Sequence, residues 1–239
     1  MDIFIDSLRE AAALLLRGDS QVWEILLRSL RVSGLAVLLG LVLGLPVGVG
    51  VGLTRFRGRG LVIALIHTGF ALPPVVVGLF VYMLFSRAGP AGHLELLFTP
   101  TAMILAQAAL AAPYVAGISL AAVQAVPPDV RLQARALGAS RARALGTVLG
   151  EARLGLVAAV VAGFGAVISE VGAVMMVGGN IAGETRVMTT AIVLETRRGN
   201  FATALAFGIV LLLLAFAVNA LLTRAQQART VRSMPRVWG

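Results

Sequence analysis

The chain contains no cysteine and no lysine, and has little charge or aromatic surface for its 239 residues. Without cysteine it can form neither disulfides nor thiolate metal sites. All of its 20 basic residues are arginine. A P-loop needs a lysine on the nucleotide phosphates, so this chain is not expected to hydrolyse ATP and no cofactor is expected. Charged residues make up 13% of the chain against 59% apolar, too few to cover a soluble domain of this size. The opening MDIFIDSLRE carries acids where a signal peptide carries a basic segment, so no cleaved leader is expected. The apolar stretches contain no HExxH, paired acids or Ser/His arrangement, which argues against a membrane enzyme.

What is present is long hydrophobic runs. Blocks of about 20 or more apolar residues are long enough to cross roughly 30 Å of hydrocarbon, and they predict an all-α integral membrane protein. Five spans are expected, over residues 32–53, 61–85, 99–126, 154–177 and 201–223. Ahead of them, residues 1–27 carry Ile3, Phe4, Leu8, Ala11 and Leu15 at helical spacing between charged residues. That pattern predicts an interfacial segment. In the first span Ala36, Gly40, Gly44, Gly48 and Gly52 recur every four residues. They give one helical face on which a neighbouring helix can approach closely, more simply inside one subunit than across a dimer seam.

Charge sets the expected orientation. The segment before the first span nets −1, the first loop carries Arg55, Arg57 and Arg59 unopposed, and the second loop balances Arg87 against Glu95. Residues 127–153 net +3, residues 170–200 net zero, and the tail 224–239 has Arg224, Arg229, Arg232 and Arg236 unopposed. The alternation predicts an N-terminus outside and a cytoplasmic C-terminus. It also accounts for the net charge of +9 without a nucleic acid partner.

Polar features inside the spans are few. Pro73-Pro74 frees the carbonyls of Gly69 and Phe70 in mid-span, so the break should be buried in protein or line a wet cavity. Glu170 is the one acid well inside a span, and placing it at the bilayer centre would cost roughly 2.5–3.5 kcal/mol. It is read as a gate or helix-pairing residue, or alternatively as a glutamate at headgroup level. His67 is expected inside the bundle, and Gln107 and Asn219 as interhelical hydrogen-bond partners. Gly178, Gly179, Asn180 and Gly183 predict a turn after the fourth span, followed by a short helix over 187–196. Arg186, Arg197 and Arg198 would be solvated or meet acids on a partner.

The most informative stretch is PPDVRLQARALGASRARALGTVLGEAR, residues 127–153. Pro127, Pro128 and Asp129 suit a helix start. Arg131 and Arg135 share a face, Gly138 can turn the chain, and Ser140 can cap a second helix. In that second helix Leu145, Val148, Leu149, Ala152 and Leu156 form an apolar stripe that could lie under the membrane. An ordinary topology loop needs neither an elbow nor a stripe. The arrangement is shaped to grip a soluble partner.

ARALGASRARALGTVLGEAR resembles the EAA loop of permease subunits of binding-protein-dependent ABC importers of the type I fold. The motif's glycine matches Gly138, its second alanine Ala134 and its later aliphatic position Val148. Its leading glutamate falls at Leu132, its first alanine at Gln133, and its terminal Leu and Pro at Gly150 and Glu151. The resemblance implies coupling to an ATPase through Arg131, Ala134, Arg135, Gly138, Ala139, Ser140 and Arg141. It implies as partners two copies of a cytoplasmic ABC ATPase, an extracytoplasmic substrate-binding protein and a second copy of this chain, within the lipid of a cell (inner) membrane. It spans roughly residues 28–223. ALPPVVVGL (71–79) and VGGNIAGETR (177–186) resemble permeases for molybdate, tungstate and sulfate. ISEVGAVMMVGGNI (168–181) with TTAIVLETRRGNF (189–201) is similar to tungstate permeases. Pore or gate candidates are Pro73, Pro74, Glu170, Gly179 and Asn180. An ion-coupled secondary transporter is the rival class, and it would want paired intramembrane carboxylates or broken helices in matching halves.

Overall fold

The computed structural model describes residues 2–18 and 20–231. Asp19 and residues 232–239, with Arg232 and Arg236 of the expected tail, lie outside the described residues, as do the side chains of Ile3, Phe4, Ala11, Leu15 and Arg229. The α-helices follow from apolar runs, from capping residues or, at Pro128, from a proline start. They are α1 (Asp2–Arg17), α2 (Ser20–Leu53), α3 (Arg59–Phe70), α4 (Pro74–Phe85), α5 (Pro100–Gln124), α6 (Pro128–Ala136), α7 (Arg141–Glu151), α8 (Arg153–Ile168), α9 (Gly172–Gly178), α10 (Met188–Arg197) and α11 (Phe201–Val231).

Among the described residues three helices are individually long and apolar enough to cross a membrane: α2, α5 and the Phe201–Arg224 part of α11. The other expected spans are broken. Residues 61–85 form α3 and α4, bent by 100°, because Pro73 and Pro74 cannot continue the helix. Residues 154–177 become α8 and α9, interrupted at Ser169–Val171. The first span also begins earlier than expected. α2 runs without interruption from Ser20, so no boundary falls between residues 27 and 32.

The core is built on α2 and α5, which run parallel. A Cβ on Gly40 would lie 2.8 Å from Ala111 Cβ, and one on Gly44 or Gly48 would collide with the backbone carbonyls of Ala112 and Ala116. Only glycine permits this approach. The stripe therefore serves packing inside the subunit. α8 returns antiparallel, with Gly155 against Ala122 and Gly163 against Val115. Gln107 ties all three helices: its Oε1 accepts from Ser33 Oγ at 3.2 Å and its Nε2 donates to the Val167 carbonyl at 2.9 Å. Met103, Val115, Val167 and Val174 are fully buried here. α1 and α10 lie against α11.

Two polar expectations need correction. His67 is exposed on α3, 5.8 Å from the Phe70 ring, not interior. Asn219 Oδ1 is buried with no hydrogen-bond partner among the described residues, because α11 faces the bundle with few polar side chains.

Candidate functional site

The 127–153 loop folds as its sequence dictates. Pro128 opens α6 and Asp129 sits in its first turn. The helix ends where Gly138 takes φ +84, with Gly138 N–H donating to Arg135 O and Ala139 N–H to Ala134 O, both at 3.0 Å. This left-handed turn is the elbow, a conformation open to glycine at little cost. Ser140 then caps α7, its Oγ accepting from Arg143 N at 3.3 Å.

Arg131, Ala134, Arg135 and Gly138 lie along one side of α6 and its elbow, at spacings of three and four. No residue of α6 is buried. Leu132 is 64% exposed and Leu137 89%, apolar surface that one chain alone leaves uncovered. Between α6 and α7 a notch of about 510 Å³ is lined by Ala134, Leu137, Gly138, Ala139, Arg143 and others. Ser140 and Arg141 are exposed beside it.

The second helix carries a correction. Val148 and Ala152 are buried with Val123 of α5, and Leu149 and Leu156 pack there with Val49 and Leu53 of α2. The stripe is seated on protein at the ends of α2 and α5, since those helices present apolar side chains at that depth. Leu145 alone of the five remains exposed. The loop is thus one free helix hinged on a second helix clamped to the core.

The pore candidates fall in two places. The start of α4, which Pro73 and Pro74 open, packs on the start of α9, which follows Glu170 in the chain. A Cβ on Gly172 would meet the Val75 side chain at 2.7 Å, and one on Gly78 would meet Ala173 Cα at 2.7 Å. Gly179 and Asn180 sit at the far end of α9, about 10 Å away at 1.5 Å per residue. Both take left-handed conformations, φ 69 and φ 54.

At the first break the freed carbonyls find partners. Phe70 O accepts from Tyr114 Oη at 3.2 Å and Gly69 O from Leu72 N at 3.4 Å. Residues 71–76 themselves are exposed. At the second break Glu170, 5% exposed, turns its carboxylate onto the first turn of α9. Oε1 accepts from Ala173 N at 2.7 Å and Oε2 from Val174 N at 3.1 Å. Its carboxylate satisfies orphan donors at the start of α9, and its backbone carbonyl accepts from Thr189 Oγ1 of α10 at 2.9 Å.

Residues not anticipated from the sequence hold the turn after α9. Thr185 Oγ1 donates to Gly178 O and accepts from Ile181 N. Arg28 of α2 donates to the carbonyls of Gly183 and Arg186 at 2.6 and 3.2 Å, and bonds Glu24. Ser29 Oγ accepts from Met188 N at 2.8 Å. An arginine and a serine inside a long helix gave no local signal of this. Arg186 donates to Asn180, and Arg198, exposed as expected, pairs with Glu195 of its own chain at 3.0 Å.

The chain is an apolar helical bundle carrying a two-helix appendage whose first helix is uncovered. Residues 40–231 match the family of binding-protein-dependent transport system inner membrane components, and the chain belongs to that family. It is 49% identical over 198 residues to a probable anion ABC transporter permease protein of Haloferax volcanii, covering 81% of this chain and 85% of that one. It is 37% identical over 227 residues to the tungstate uptake system permease protein TupB of Peptoclostridium acidaminophilum, covering 95% and 100%. The molybdenum transport system permease protein ModB of Escherichia coli K12 is 31% identical over 178 residues, covering 71% and 78%. Among solved structures, an inward-facing form of the MetNI methionine ABC transporter superposes with a TM-score of 0.66 at 25% identity, covering 93% of this chain and 97% of that chain.

Proposed function

We propose that this chain is the permease subunit of an ATP-driven importer of an oxyanion, tungstate before molybdate or sulfate. The observation that carries the proposal is the 127–153 loop. An exposed helix with uncovered leucines, hinged at Gly138 and rooted on α5 and α2, is suited to take a push from a soluble partner and pass it to the core. The partner is a cytoplasmic ABC ATPase in two copies, one for each loop of a homodimer. Five crossings, with α3–α4 and α8–α9 as broken ones, put the N-terminus outside and the arginine-bearing loops inside.

Pro73, Pro74 and Glu170 then lie on the translocation path. Glu170 holds the N-terminus of α9 closed with its own carboxylate, and Gly179 and Asn180 shape the outer turn where the binding protein docks. No arginine lies within the expected spans, so selectivity resides in the external binding protein and the path binds weakly enough to release. Relatives named for anion, tungstate and molybdenum transport support the substrate class.

The test is uptake into proteoliposomes carrying this chain, its ATPase and its binding protein, with tungstate, molybdate and sulfate offered in turn. ATP-dependent tungstate accumulation is expected. Accumulation of none of the three would refute the proposal, and preference for molybdate or sulfate would correct its substrate.

A further inference from the structure

A separate feature lies where the ends of α2, α5 and α6 meet. A cavity of about 560 Å³ opens there, and Arg55, Arg59, Arg131 and Arg135 line it together with no acidic residue. Two of the four have structural work. Arg59 Nε donates to Val51 O at 2.9 Å and Arg131 Nη1 approaches Leu53 O at 3.5 Å, closing the C-terminus of α2.

That helix end offers only about half a negative charge, against four guanidinium groups. Each guanidinium also carries five N–H donors, most of them unused by these two bonds. None of the four forms an ion pair among the described residues. Planar guanidinium forks fit the oxygens of a tetrahedral oxyanion. The position fits as well, because the uncharged run of α2 ends at Leu53 and the arginines begin at Arg55, at headgroup depth.

We infer that this cavity binds a tetrahedral oxyanion group, either the phosphate of a lipid in the adjacent leaflet or a free oxyanion from the adjoining solvent. Bound there, the anion ties α6 to the start of α3, joining the hinged helix to the segment that leads to the Pro73-Pro74 break. The inference goes beyond transport specificity and holds whichever anion is carried.

The full chain, purified in detergent, freed of phospholipid and then offered phosphatidylglycerol and phosphatidylcholine in equal amounts, tests it in two arms. Native mass spectrometry counts retained phosphatidylglycerol against phosphatidylcholine, and equilibrium dialysis measures tungstate and inorganic phosphate. Preferential retention of phosphatidylglycerol assigns the site to lipid, and saturable binding of either free anion assigns it to the solvent species. In either case Arg55→Gln/Arg131→Gln weakens binding about tenfold or more, while Arg197→Gln/Arg198→Gln, outside the cavity, leaves it unchanged. Should the double variant not fold, Arg135→Gln on exposed α6 is expected to weaken binding about fivefold. No retention in either arm by the unsubstituted chain, or equal retention by the variants at these arginines, overturns the inference.

Discussion

The α2–α5 seam and the 127–153 loop both depend on glycine, for opposite reasons. At Gly44 and Gly48 the backbone is ordinary helix and the neighbour is too close for any side chain. At Gly138 nothing lies within 4 Å of a built Cβ, and it is φ +84 that demands glycine. One region is locked by contact and the other is defined by a turn in open surroundings. A rigid body with a jointed lever attached to it is what transmission of force requires. Substitutions in the seam should therefore destroy the fold, whereas substitutions at the elbow should destroy coupling and spare the fold.

The largest effect is expected at the seam. Gly48→Val drives a branched side chain into the Ala116 carbonyl and costs at least ~3 kcal/mol. Size-exclusion chromatography should show aggregated or absent protein; a normal monodisperse peak would break the contrast. Next, Gly138→Pro demands φ near −65° where the chain needs +84. Uptake should vanish while the amount of membrane-inserted protein stays normal, and unchanged transport would remove the loop's coupling role.

Glu170→Leu leaves the Ala173 and Val174 N–H groups without their acceptor and should lower stability by about 1–3 kcal/mol. Glu170→Gln, which keeps one acceptor oxygen, should fall between it and the unsubstituted chain in thermal denaturation. The smallest effect is Tyr114→Phe, which removes the phenol from Phe70 O for about 1 kcal/mol. A comparable loss of uptake in this variant would mean that the Pro73-Pro74 break is sensed beyond its hydrogen bond.

What could be read from the sequence was what local spacing determines. The Gly138 elbow and the Ser140 cap rest on interactions within a few residues, and each is where its pattern placed it; the four-residue glycine stripe was legible as a face, but the helix that packs on it was not. The break at Ser169–Val171 was hidden because Glu170 looks like a membrane charge until the N–H groups that it caps are seen. Tyr114 meets Phe70 across 44 positions and Arg28 meets Gly183 across 155, separations that no periodicity encodes. His67 was misplaced for the same reason. Which face of α3 turns inward is set by Ile66 and Gly69 packing on α5, where Gly69 meets Pro113, and not by the histidine's chemistry.

The absence of native cysteine makes one measurement especially clean. Ser140→Cys places a single thiol at the elbow, to be probed in cells with a membrane-impermeant maleimide and, with the ATPase co-produced, by crosslinking with and without ATP. The expected result is no labelling from outside and a crosslink to the ATPase whose yield changes with nucleotide. Labelling from outside, or a folded, transport-active protein that never crosslinks to the ATPase, would contradict the coupling mechanism at its root.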